Sequence, residues 1–140
     1  MYTTLNLSHA EAQEMIDAVR RRLEAEKKAG AIAVTDSHGE LIAFLRMDGC
    51  HLPPVQIAIN KAFTASRERR PSGAVGEASR TAPFPMTNYG DFRYTGWAGG
   101  LPVLVDGQVV GAIGISGLDE KDEAELGRMA LELVSRKAAR

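Results

Sequence analysis

The six residues Arg46-Met47-Asp48-Gly49-Cys50-His51 hold a guanidinium, a carboxylate, a thiol and an imidazole. A cysteine beside a histidine can form a reactive thiolate or a metal ligand pair. Arg46 and Asp48 either form an ion pair that holds a turn or face a ligand. Lys61 and Thr64 follow at helical spacing with Ile57, so all three share one face and the two polar groups project together. A lysine there can neutralise a ligand carboxylate. His9, His38 and His51 are scattered with no metal-ligand spacing, so no structural zinc site is read. Neither a Ser-His-Asp order nor a nucleophile elbow is present.

Half of the fourteen glycines fall in GWAGGLPVLVDGQVVGAIGISG, residues 96–117. Phosphate binding is excluded by the spacing Gly111, Gly114, Gly117, which fits neither a P-loop nor a dinucleotide fingerprint. The next helix also opens on Asp119, Glu120, Asp122 and Glu123, which repel an anion. Strand alternation places Val109, Gly111, Ile113 and Ile115 on one face and Val110, Ala112, Gly114 and Ser116 on the other. The second face tapers to hydrogen and hydroxyl, which admits either another backbone or a flat ligand. Gly99 and Gly100 join an aromatic segment to this strand pair. That segment holds Phe84, Tyr89, Phe92, Tyr94 and Trp97, five of eight aromatics. Such a concentration suits a lid or binding loop more than a linker.

These residues must be positioned by regular elements. Ser8 and Glu11 form a capping box ahead of a helix whose stripe is Ala12, Met15, Ile16, Val19 and Leu23. Gly30 is the expected stop. A β-hairpin follows over AIAVTDSHGELIAFLRMDG, turning at Asp36-Ser37-His38-Gly39. Pro53-Pro54 open a second helix with Val55, Ala58, Ile59, Ala62 and Ala65 buried, and Arg67, Arg69 and Arg70 read as its solvated end. Residues 69–100 read as irregular. Asp106-Gly107 joins Leu101–Val105 to Val109–Ile115 as a second hairpin. A last helix starts near Asp119, with Leu126, Met129, Ala130, Leu133 and Val134 buried and Arg136, Lys137 and Arg140 suiting its C-terminal dipole. The order predicts an α/β chain of the α+β layered class, an antiparallel sheet covered by helices.

With 140 residues the chain reads as one domain, 1–140. A formal net charge of −1 gives no field towards nucleic acid or an anionic membrane. The single Cys50 excludes an internal disulfide and suits a reducing compartment. The N-terminus has no signal-peptide pattern and no apolar run is long enough to span a bilayer, so a cytoplasmic location is expected.

The segments AIAVTDSHGELIAFLRMDG, IAINKAFTAS and GGLPVLVDGQVVGAIGISG, in that order, resemble the GlcG/HbpS-like family, the haem-degrading domains that include the C-terminal domain of PduO-type proteins. The resemblance spans about Leu7 to Leu133. It implies a profilin-like fold and a homo-oligomer, tetramer or octamer. Its motif residues fall here on Arg46, Asp48, Gly49, Lys61, Thr64, Gly99, Gly100, Pro102, Gly111, Gly114 and Gly117. Haem is the cofactor it suggests, with His9 and His51 as the available iron ligands, basic residues at the propionates and aromatics on the macrocycle. An alternative is an enzyme acting on a small carboxylated metabolite in a catabolic pathway. Lys61 and Arg46 would then bind the carboxylate, and Tyr89, Asp91 or His51 would transfer protons; Tyr89, Phe92, Trp97, Gly99, Gly100 and Gly114 would wall the pocket. A third reading is a regulatory or assembly partner without its own ligand, with Tyr89 to Trp97 at a subunit interface.

Overall fold

Four α-helices, one 3₁₀ turn and a four-stranded antiparallel sheet make up the described part of the molecule, a computed structural model covering residues 1–138. Helix α1 (His9–Ala25) starts at the capping box: the Glu11 amide donates to Ser8 Oγ at 3.2 Å, and the Ser8 amide donates to Glu11 Oε2 at 2.8 Å. Its stop differs from expectation. Lys27 takes a left-handed conformation (φ 56°), and the Lys28 amide donates to Leu23 O, a Schellman closure that ends the helix at Ala25, five residues before Gly30.

Strands β1 (Ala31–Asp36) and β2 (Leu41–Arg46) form the first hairpin, and β3 (Gly100–Val105) and β4 (Gln108–Ser116) the second. Asp36 Oδ1 accepts the amides of His38 (2.8 Å) and Glu40 (3.0 Å) across the first turn. Asp106 and Gly107 both have positive φ, as a type I′ turn requires. The sheet order is β2-β1-β4-β3, every pair antiparallel.

The period-two pattern sorts the two faces. Ile32, Val34, Ile113 and Ile115 pack under α1 and α4 (Glu120–Ala138) with Met15, Val19, Leu23, Leu126 and Ala130. Ala31 and Ala33 meet Ala58 and Ala62 of α2 (Pro53–Glu68) on the other face. Small residues there bring α2 close. Val110 departs from the alternation: a register shift at Val103/Leu104 turns it into the α1–α4 core instead of the α2 face. Side chains of residues 136–138, and residues 139–140, lie outside the description, and with them the expected basic end of α4.

The expected irregular segment contains a helix, α3 (Ser72–Ser79), and a 3₁₀ turn at Met86–Tyr89. Sequence periodicity missed α3 because it is eight residues long with two glycines and buries only Ser72 and Val75. Among the described residues no helix is long and apolar enough to cross a membrane.

Candidate functional site

Lys61 and Glu123 form a buried ion pair where α2, β4 and the start of α4 meet. Lys61 Nζ donates to Glu123 Oε2 at 2.8 Å and to Ile115 O at 2.9 Å, and each residue is 3 % exposed. Glu123 Oε1 accepts the Leu118 amide at 3.2 Å. Burial pushes the Glu123 carboxyl above the usual carboxylate range, and Lys61 opposes that rise. The charge of Lys61 therefore already has a carboxylate partner within the chain. Beside the pair lies a hollow of 220 Å³, lined by Ile57, Trp97, Ala98, Ser116 and Leu118, with Glu120 at its edge.

Two glycines make this arrangement fit. A Cβ on Gly99, which has φ +116°, would stand 2.6 Å from Ile115 O, 2.8 Å from Glu123 Oε2 and 2.9 Å from Lys61 Nζ. Gly99 thus closes over the pair as only bare backbone can. A Cβ on Gly114 would press into Ala58 O and lie 2.7 Å from the Ala62 nitrogen. The tapering face admits the α2 backbone, the first of the two readings left open above. Gly100 packs on Lys61 O, and its amide donates to Ser72 Oγ at 2.8 Å.

The aromatic segment is tied to α2 and does not float. The Thr95 amide donates to Thr64 Oγ1 at 2.9 Å, and Ser72 Oγ donates to Trp97 O at 2.6 Å. Tyr94 meets Phe63 edge-on at 5.1 Å and Tyr89 at 5.3 Å. Arg93 lies 4.0 Å over the Phe63 ring and pairs with Asp91 (3.0 Å) and Glu40 (3.2 Å). Hydrogen bonds from Arg93 hold the Asp91 carboxyl below the usual range. Phe92 (88 % exposed) and Trp97 (62 %) face outward.

Other residues lie elsewhere. Arg46 and Asp48 border a separate 300 Å³ hollow with Arg20, Glu24 and Lys28, and no ion pair joins Arg46 to Asp48 among the described residues. Lys61 and Arg46 thus open on different hollows. His9 and His51 are exposed and border none of the five main hollows. Burial raises the Cys50 thiol, against a smaller opposing pull from Arg46. His38 instead borders a 470 Å³ hollow with Tyr2, Leu5, Arg69, Leu104 and Val109. A further 490 Å³ hollow is lined by Arg80, Met86, Gly96 and Trp97.

Sequence reasoning missed Glu123, assigning it only to the α4 dipole. Its spacing to Leu126, Ala130 and Val134 was the available signal, since it places the carboxylate on the buried stripe.

Residues 7–132 match the family described as "Haem degrading protein HbpS-like". The chain belongs to the HbpS-like family. Protein GlcG of Escherichia coli K12 is 34% identical over 122 residues, covering 83% of this chain and 85% of GlcG. The crystal structure of Klebsiella pneumoniae protein ORFY superposes with a TM-score of 0.87 at 26% identity, over 96% of this chain and 94% of ORFY. A crystal structure of a PduOC–haem complex shares the fold, with a TM-score of 0.82 at 20% identity over 91% and 94% of the two chains. The HbpS-like architecture thus confirms the α+β layering and the family resemblance read from the sequence.

Proposed function

We propose that this HbpS-like chain binds haem at the hollow around His38. The observation that carries this is an imidazole set among exposed apolar side chains. Leu5 and Leu104 are about half exposed and Tyr2 almost wholly so, around a space of 470 Å³. Uncovered apolar surface beside a polar group marks a ligand site. The residues fit the group: imidazole and phenolate both ligate haem iron, and the Arg69 guanidinium suits a propionate. Bound there, haem would supply redox and small-ligand chemistry at iron. The chain's own part is to hold the imidazole, cover the macrocycle and neutralise a propionate. The haem-degrading description of the family and the haem complex of PduOC support the reading. Homo-oligomeric assembly, as tetramer or octamer, belongs to the same proposal through the family resemblance, and a cytoplasmic location through the single Cys50, which suits a reducing compartment.

The test is a hemin titration followed at the Soret band, with His38→Ala, His9→Ala and His51→Ala variants. The expected result is a saturable, stoichiometric shift that His38→Ala abolishes and Met86→Ala, in the other large hollow, leaves intact. A non-saturating shift, or one that survives His38→Ala, would overturn the assignment; loss in His9→Ala or His51→Ala alone would move the iron to that histidine. Sedimentation velocity with and without hemin checks the assembly.

A further inference from the structure

The Lys61–Glu123 pair is more than a brace between helices. A lysine ammonium has three N–H donors, and two are used, on Glu123 and Ile115 O. The third has no partner among the described residues, and the pair borders the 220 Å³ hollow. Ser116 lines the same hollow at 5 % exposure, and its hydroxyl makes no hydrogen bond among the described residues. A buried ion pair kept only for stability is replaceable by apolar side chains at little cost. Here two polar donors instead flank one apolar cavity walled by Ile57, Trp97 and Leu118.

Size and charge define the ligand. The volume lies below the roughly 300–1,000 Å³ that hold drug-sized ligands, so a molecule of a few carbons fits and a macrocycle does not. Glu123 already cancels the Lys61 charge, and Glu120 adds a carboxylate at the edge. A ligand carboxylate is therefore disfavoured, and an uncharged molecule with an acceptor oxygen is favoured. An amine within hydrogen-bond reach of a carboxylate base is an activated nucleophile for a carbonyl carbon.

We infer that this hollow binds a small uncharged aldehyde or ketone and that Lys61 captures it as an imine, with Glu123 carrying the protons. Glu123 takes a proton from the Lys61 ammonium. The freed lone pair attacks the carbonyl carbon, the C–N bond forms, and the π electrons move to the oxygen, which receives a hydrogen bond from Ser116 and then the proton from nitrogen. The protonated Glu123 returns its proton to the hydroxyl, which leaves as water. The net change is ammonium plus carbonyl to protonated imine plus water, with no oxidant or reductant. The upward displacement of the Glu123 carboxyl by burial makes it a better proton acceptor than a surface carboxylate. The inference is independent of the haem reading and uses neither His38 nor its hollow.

The intact protein, without hemin, is incubated with butanal and sodium cyanoborohydride, and labelled lysines are mapped by peptide mass spectrometry. Lys27 and Lys121 are exposed and serve as internal references. Lys61 is expected to label about tenfold faster than either despite its burial, because the neighbouring base and confinement offset restricted access. Pyruvate, a charged carbonyl, is expected to label Lys61 more slowly than butanal. Glu123→Gln is expected to slow Lys61 labelling with circular dichroism unchanged, and Ser116→Ala to slow it with the melting temperature unchanged. Labelling of Lys61 no faster than Lys27 would overturn the inference, and wild-type rates in both variants would do the same. Should Glu123→Gln fail to fold, the wild-type ratio and Ser116→Ala decide.

Discussion

Replacing Gly114 by alanine tests whether the tapering strand exists to admit the α2 backbone. The new Cβ would lie 2.7 Å from the Ala62 nitrogen where ordinary contact begins at 3.4 Å, and nearer still to Ala58 O, so α2 must withdraw by more than about 0.7 Å. The obstacle is helix backbone, which cannot rotate away as a side-chain tip does. Overpacking of this kind costs about 1–3 kcal/mol. Withdrawal also stretches the two bonds of Lys61, now 2.8 and 2.9 Å, towards the limit of useful geometry. Bonds to charged groups contribute about 1.5–3 kcal/mol each, so weakening both brings the expected loss to about 3–5 kcal/mol. For a domain of this size that lowers Tm by roughly 10–15 °C. Urea denaturation followed by circular dichroism measures the loss. Gly107→Ala is the control: Gly107, unlike Gly114, has positive φ (+77°), and its Cβ would meet open space, so only the conformational cost of about 1–2 kcal/mol applies. A Gly114→Ala loss no larger than that of Gly107→Ala would refute the reasoning.

Other predictions concern buried polar groups. Lys61→Met leaves Glu123 buried without its cation and is expected to cost about 3–5 kcal/mol, while the Lys61→Met/Glu123→Leu pair recovers most of that in the same urea assay. In the single variant the Glu123 carboxyl rises further. A carboxyl whose folded pKa exceeds its unfolded value binds the extra proton in the folded state. Stability of Lys61→Met should therefore be greatest in acid and fall as pH rises through the folded value, a slope that the double variant lacks. Thr35 Oγ1 is fully buried with no hydrogen-bond partner among the described residues, so Thr35→Val should stabilise by about 1 kcal/mol, read as a higher urea midpoint at unchanged slope. Arg93→Ala removes the nearer of two guanidinium groups over Phe63, Arg67 being the other, and both carboxylate pairs of Arg93; hydrogen exchange should quicken at Thr95, with a stability loss of about 1–2 kcal/mol. Burial raises the Cys50 thiol, so its reaction with a disulfide reagent at neutral pH should be slower than that of free cysteine and accelerate at higher pH.

The sequence by itself determined what rests on neighbours along the chain. Ser8 and Glu11 are three residues apart, Asp106-Gly107 permits the positive φ of its turn, and β1 alternates large and small residues so that each face meets its own helix. Such features follow from local hydrogen bonds and side-chain period, so element order and layering were legible. The end of α1 was not, because a lysine rather than a glycine accepted the left-handed position. Helix α3 was hidden because its hydrogen bonds to the loop and to β3, through Ser72, have no local pattern. The partner of Lys61 lies 62 residues away on α4, and only the docking of two helices across opposite faces of one sheet brings the carboxylate to it. Likewise His38, a turn residue on local grounds, gains a hollow only when the N-terminal segment and the second hairpin come beside it. Long-range pairs are chosen by packing, which the linear pattern constrains to faces but not to partners. Thus the faces were written in the chain, and the sites where those faces meet were decided in three dimensions.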